Sequence, residues 1–201
     1  MSDLSLRERS KRRRRRAIQM HAMRLFAARG YDATTVSEIA AAAEVSPRSV
    51  SSYFPTKLDI ATASFDEAAE RLVKVIGQVG PNRQLVDAFM IWLENEPSFV
   101  DEEEWELRAR MLDTNPALAN VATAHSRTLQ EVASAVIAQD LSIPLTDVTV
   151  RLVLGMFEGL VLQSQLLPVS HRSDIGVFLT IRTAISGVLD DVRRLRVDEA
   201  R

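Results

Sequence analysis

Residues 47–53 read PRSVSSY. Arg48, Ser49, Ser51, Ser52 and Tyr53 bring hydrogen-bonding side chains to every position from 48 to 53 except Val50. On a helix, Val50 and Phe54 lie one turn apart and point inward, leaving Pro47 and the polar residues on the outer surface. A guanidinium on such a surface suits the edge of a guanine in the DNA major groove. The short hydroxyls of Ser51 and Ser52 suit phosphate, methyl or water-mediated contacts. The bland alternative is an ordinary solvated face.

A second group lies upstream. Lys11 to Arg16 reads KRRRRR. Beside a DNA-reading helix, Arg12, Arg13, Arg14, Arg15 and Arg16 are expected to form an arm, residues 1–16, that follows phosphates or enters a minor groove. Such contacts add affinity by counterion release and little sequence information. Residues 1–58 hold twelve Lys or Arg against five Asp or Glu, a balance of +7 inside a chain whose net charge is −2. The basic part is the one suited to a polyanion.

Catalytic groupings are not expected. His21, His125 and His171 are far apart and in no metal-ligand spacing. There is no cysteine, no phosphate-cradling glycine loop and no GxSxG elbow. The carboxylates of Asp101 to Glu104 read as a helix start, where the dipole favours them. No enzyme, cofactor or metal is predicted. The second half instead offers pocket material, apolar bulk with a few polar groups. The candidates are Phe89, Trp92, Trp105, Arg108, Met111, His125, Met156 and Gln163. A buried Arg108 needs an anion, either an internal acid such as Glu106 or Glu158, or an acidic effector.

The elements that position these groups are helices. Thr35 and Glu38 form a capping box ahead of Val36, Ile39, Ala40 and Ala43. Ser46 caps the next helix with Pro47 at its first position. Ala17 to Arg29 is predicted to precede this pair, ending at Gly30. After it come helices over Lys57–Val79, from Asn82 (beyond the Gly80-Pro81 breaker) to Glu96, over Asp101–Leu112, from Asn115-Pro116 to Ala138, from Thr146 to Leu167 and from Ser173 to Arg196. The prediction is all-α, about nine helices. No stretch approaches the roughly 20 apolar residues of a membrane span and no secretory signal opens the chain, so a cytoplasmic protein is expected. Apolar stripes at Leu152, Val153, Met156, Phe157, Leu160 and Val161, with Gly155 and Gly159, and at Ile181, Ile185, Val188, Leu189 and Val192, suit a four-helix dimer interface. Lys57 falls in a helix first turn, unfavourable for a cation unless a phosphate lies near.

The segment LFAARGYDATTVSEIAAAAEVSPRSVSSYFPTKLDI, Leu25 to Ile60, resembles the N-terminal domain of the TetR family of repressors. The resemblance implies a helix-turn-helix domain over 17–63 and an effector-binding and dimerisation domain over 64–201, with a homodimer through the last two helices. It places Thr35, Ser37, Tyr53 and Lys57 at phosphate-contacting positions. Glu44 stands where the family usually has glycine, a strained choice if the backbone there needs positive φ. ELRARMLDTNPALANV, Glu106 to Val121, resembles a subgroup of which some members respond to acyl-CoA or other amphipathic effectors. The function expected is a sequence-specific DNA-binding regulator, a repressor released from a palindromic operator by a small apolar or amphipathic ligand. The alternative is a ligand-independent, nucleoid-associated DNA-binding dimer.

Overall fold

The computed structural model describes the backbone of residues 6–78, 85–124 and 126–199, with side chains over the same ranges except 120, 122–124 and 196–199. The described chain is all-α, with ten helices, two 3-10 turns and no strand. Among the described residues, no helix is long and apolar enough to cross a membrane.

α1 spans Leu6–Arg29. It begins eleven residues before the expected Ala17, so the described part of the arm, 6–16, is helical. Arginine and lysine are good helix formers, and nothing between Leu6 and Ala17 breaks the pattern. Gly30, at φ 90, stops it. α2 (Val36–Ala42) carries the predicted capping box with both bonds present. α3 (Pro47–Tyr53) is capped by Ser46, whose side chain accepts from the Ser49 amide. α4 (Lys57–Gln78) follows a second reciprocal cap: the Thr56 amide donates to Asp59 and the Asp59 amide to Thr56.

Gly80, Pro81 and Asn82 lie outside the described residues. α5 (Leu85–Asn95) leads into a 3-10 turn at Glu96–Ser98, with Pro97 inside it. α6 (Glu102–Thr114) is capped by Asp101. The single long helix expected up to Ala138 is two, α7 (Pro116–Ala124) and α8 (Arg127–Leu141), because Ser126 caps a fresh start by accepting from the Leu129 amide. That split gives ten helices rather than nine. α9 (Val148–Ser164), expected to start at Thr146, is capped by Asp147. α10 (Ile175–Glu199) closes the chain.

Two apolar cores result. One gathers Ile18, Met23 and Phe26 of α1, Ile39 of α2, Val50 of α3, and Ile60 and Phe65 of α4. It is completed by Leu107, Met111 and Leu112 of α6 and Leu162 of α9. The three-helix module therefore shares its core with the second half, and α4 runs unbroken across the expected boundary at 63. The other core stacks Leu72 and Ile76 of α4, Phe89 and Trp92 of α5, Ile137 of α8, Phe157 of α9 and Ile185 and Leu189 of α10.

Candidate nucleic-acid interface

The turn between α2 and α3 fixes the geometry of the reader. The Glu44 amide donates to the Ala41 carbonyl and the Val45 amide to the Ala40 carbonyl, the bond pair of a Schellman motif. Glu44 takes the left-handed position at φ 54. A non-glycine there costs roughly 1 kcal/mol.

α3 is held from below by Val50 and by Phe54 just beyond its end, both buried. Pro47, Arg48, Ser51 and Ser52 are exposed, and Ser49 and Tyr53 half-buried. The Ser51 and Ser52 hydroxyls donate to the Pro47 and Ser49 carbonyls of their own helix. Arg48 has no hydrogen bond or ion pair among the described residues, so its guanidinium is available. Thr35 and Ser37 are exposed at the start of α2, where the Thr35 hydroxyl is shared with Glu38. The Glu38 carboxyl is pulled down to about 2, first by the Thr35 amide, then by Arg29.

Three residues expected at DNA, all half-buried, make contacts within the protein. Five successive arginines on one helix point all round it. Arg12, Arg13 and Arg14 are exposed, but Arg15 and Arg16 turn inward. Arg15 donates to the Tyr53 carbonyl at 3.0 Å. Arg16 pairs with Glu104 and Asp101 of the α6 start. Lys57 donates its Nζ to the carbonyls of Tyr31 (2.9 Å) and Thr34 (3.1 Å) and lies 4.1 Å from the Tyr31 ring centre. Two carbonyl oxygens thus offset the unfavourable dipole that had suggested a phosphate. Tyr31 stays a neutral ring, because burial, with Asp32 and Asp59 nearby, raises its phenol pKa.

Arg7 is a basic residue with no signal of its own in the sequence. Arg7, Lys11 and Arg14 follow at i, i+4 and i+7 on α1 and, with Glu8, Ser10 and Tyr53, line a hollow of about 680 Å³ beside the end of α3. The spacing becomes a signal only once 6–16 is known to be helical.

The pocket candidates do not converge. Phe89 and Trp92 are core: the rings stack at 5.6 Å, and the indole donates to the Ala68 carbonyl. Met111 belongs to the other core. The Trp105 indole donates to the Leu167 carbonyl at 2.6 Å. Met156 is half-buried, Gln163 is exposed, and His125 lies outside the described residues. Arg108, with 0 % exposure, takes neither Glu106 nor Glu158. It pairs with Glu104 at 2.8 Å, reaches Gln165 at 3.2 Å and lies 3.6 Å from Glu96. Glu96 in turn holds Arg71 of α4 through both oxygens. An alternating chain Arg16–Glu104–Arg108–Glu96–Arg71 therefore crosses the molecule from α1 to α4.

A groove of about 590 Å³ runs between the α3–α4 junction and the start of α8, with Tyr53, Phe54, Asp66, Glu70, Val73 and Thr128 among its walls. Between α4, α8 and α9 there is a void of only about 20 Å³.

Residues 20–63 match the family profile described as "Bacterial regulatory proteins, tetR family". The chain is 42% identical over 66 residues to the HTH-type transcriptional regulator TcmR of Streptomyces glaucescens, a match covering 31% of this chain and 29% of that protein. In overall fold it is similar to Salmonella enterica GusR, at TM-score 0.59 and 20% identity over 88% of this chain and 95% of that one. It is also similar to a regulatory protein in the tetR family from Rhodococcus RHA1, at TM-score 0.52 and 18% identity over 90% and 95% of the two chains.

Proposed function

We propose that this chain, whose residues 20–63 match the tetR family profile, is a homodimeric repressor of that family that leaves a palindromic operator when a small amphipathic ligand binds. The observation that carries this reading is the unpaired, exposed Arg48 on a short helix fixed from below by Val50 and Phe54. Arg48 takes a guanine edge, and Ser49, Ser51 and Ser52 line the same groove. Pro47 borders them. Thr35, Ser37 and Tyr53 meet phosphates, as do Arg12, Arg13 and Arg14 from the exposed side of α1. The DNA-reading unit is then 17–63 together with the helical extension before it, and 64–201 carries dimerisation and shares the effector site with the α3–α4 junction.

Dimerisation rests on the outer faces of α9 and α10. Val148, Leu152, Ile175 and Leu179 are large, apolar and exposed. A side chain built at Gly155 or Gly159 would meet nothing within 4 Å of its own chain, so these glycines leave room for a second copy. Val153, Phe157 and Val161 of the expected stripe, with Ile185 and Leu189, instead fill the subunit's own core. A two-fold dimer presents two copies of α3 to successive major grooves, about 34–36 Å apart.

The effector site is the 590 Å³ groove, whose size suits a small ligand. Its walls come from both α3–α4 and α8, so an occupant bears on the reader and the bundle at once. The closed interior favours a second reading, in which the bundle only dimerises and no ligand intervenes. Binding-site selection from random duplexes tests the DNA claim: a two-fold motif is expected, and no enrichment contradicts it. A melting screen against amphiphiles then separates the readings, because a ligand for the folded state raises its stability by mass action. The same ligand must weaken operator binding, typically 5–150-fold. A ligand that stabilises the protein and leaves operator affinity unchanged rejects the release mechanism.

A further inference from the structure

Arg15 follows Arg12, Arg13 and Arg14, which face solvent, yet its guanidinium makes three contacts within the protein. Nη1 donates to the Tyr53 carbonyl at 3.0 Å. Its Cζ lies over the Phe54 ring, 4.2 Å from the ring centre. Nε is 3.6 Å from Glu67 Oε1 on α4. Tyr53 is the last residue of α3, and its carbonyl is among those a helix end leaves without an internal partner. Arg15 therefore ties together α1, the end of α3 and α4.

α3 has seven residues, about 10 Å of helix. Its pose is set at three places: the turn at Glu44, Val50 beneath it, and its C-terminal end. A tilt of 10° displaces one end of such a helix by about 2 Å relative to the other. Hydrogen bonds from Arg48 and the serines to base edges break over a smaller displacement than that.

Resting on the reading that α3 meets DNA, we propose that Arg15 is a positioning residue for specificity: with Glu67 it locks the end of the recognition helix, and it does not contact phosphate. Two features favour this over a DNA contact. The guanidinium already has a carbonyl, a ring face and a carboxylate around it. Glu67 beside it would repel a phosphate. Burial raises the Glu67 carboxyl, and the charge of Arg15 opposes that rise, as expected for a partner held close. A lysine keeps the charge but has one compact ammonium and no planar face, so it cannot reproduce the three contacts.

The test measures affinity for a selected operator and for an unrelated duplex, with Arg15→Lys, Arg15→Gln and Glu67→Gln, across a salt series. Positioning predicts that Arg15→Lys lowers the ratio of specific to non-specific affinity about tenfold, the scale of one misplaced base contact. The salt slope stays that of the unmodified chain. Glu67→Gln, although it removes a negative charge near DNA, lowers the same ratio. A merely structural role lowers the folded fraction and leaves the ratio unchanged. An unchanged ratio in Arg15→Lys overturns the proposal, as does Arg15→Gln weakening both duplexes equally with a shallower slope. If the unmodified chain selects no operator, the DNA-reading function itself fails, which is a different result.

Discussion

Glu96→Gln should be among the most damaging single substitutions in this protein. Glu96 is fully buried on the 3-10 turn after α5. Both its oxygens accept from Arg71, and Arg108 lies 3.6 Å away. Arg108 retains Glu104 at 2.8 Å in the variant. Arg71 loses the one carboxylate to which it is hydrogen-bonded, and the new amide points N–H groups toward a guanidinium. Removing one member of a buried pair costs about 3–5 kcal/mol, because the remaining charge keeps its desolvation penalty. For a chain of this size 1 kcal/mol moves the melting temperature by about 2–4 °C, so a drop of about 6–20 °C is expected. Thermal melts at pH 7 followed by far-UV circular dichroism measure it. Arg71→Gln should also destabilise, and the double variant should be less damaged than the sum by about 0.5–3 kcal/mol, as for any directly coupled pair. A loss below about 1 kcal/mol for Glu96→Gln, or simple additivity, refutes the idea that this chain of charges holds α4 to the α5–α6 turn.

Three further outcomes follow from the same structure. Leu152→Arg puts a charge on an apolar side chain that is 69% exposed in the isolated subunit. If two copies bury it across a dimer, the loss is about 3–6 kcal/mol, enough to give monomers in light scattering; an intact dimer excludes this face. Replacing Arg12, Arg13 and Arg14 together by Ala should flatten the salt dependence of operator binding, read as log affinity against log salt, by about 0.9 for each phosphate no longer neutralised. The same slope before and after removes these residues from the interface. The Glu38 carboxyl is held below its ordinary value, so its stabilisation is present above pH 4.5 and lost as pH falls through 4.5 toward about 2. The melting gap between the unmodified chain and Glu38→Ala should close over that window; a gap that widens contradicts the capping assignment.

What the sequence disclosed was local. The Thr35–Glu38 box, the Ser46–Pro47 start and the Gly30 stop all involve residues within four positions of each other, and the structure contains each of them. Positive φ at Glu44 was legible only as a condition, through the glycine that the resembling family usually has there. What it concealed was non-local. The acceptors of Lys57 are backbone oxygens more than twenty residues upstream, and no side-chain pattern encodes a free carbonyl. Arg15 meets Tyr53 only because the arginine run is a helix, so five like residues point in different directions. Arg108 was legible as a buried cation, and Glu104 sits four residues before it, yet Glu96 reaches the same place from a different element. Aromatic content marked Phe89, Trp92 and Trp105 as pocket material, whereas packing used them as core, because large apolar side chains are the first to be buried.

Arg48 is the residue on which sequence reading is proposed to depend. Selection of binding sites from the same random duplex pool by the unmodified chain and by Arg48→Ala addresses it directly. The expected result is a two-fold motif in which Arg48→Ala loses preference at one guanine of each half-site, at a cost of about 1–3 kcal/mol on the cognate duplex. An identical motif from both proteins, with no change in affinity, would show that the outer face of α3 does not read the bases.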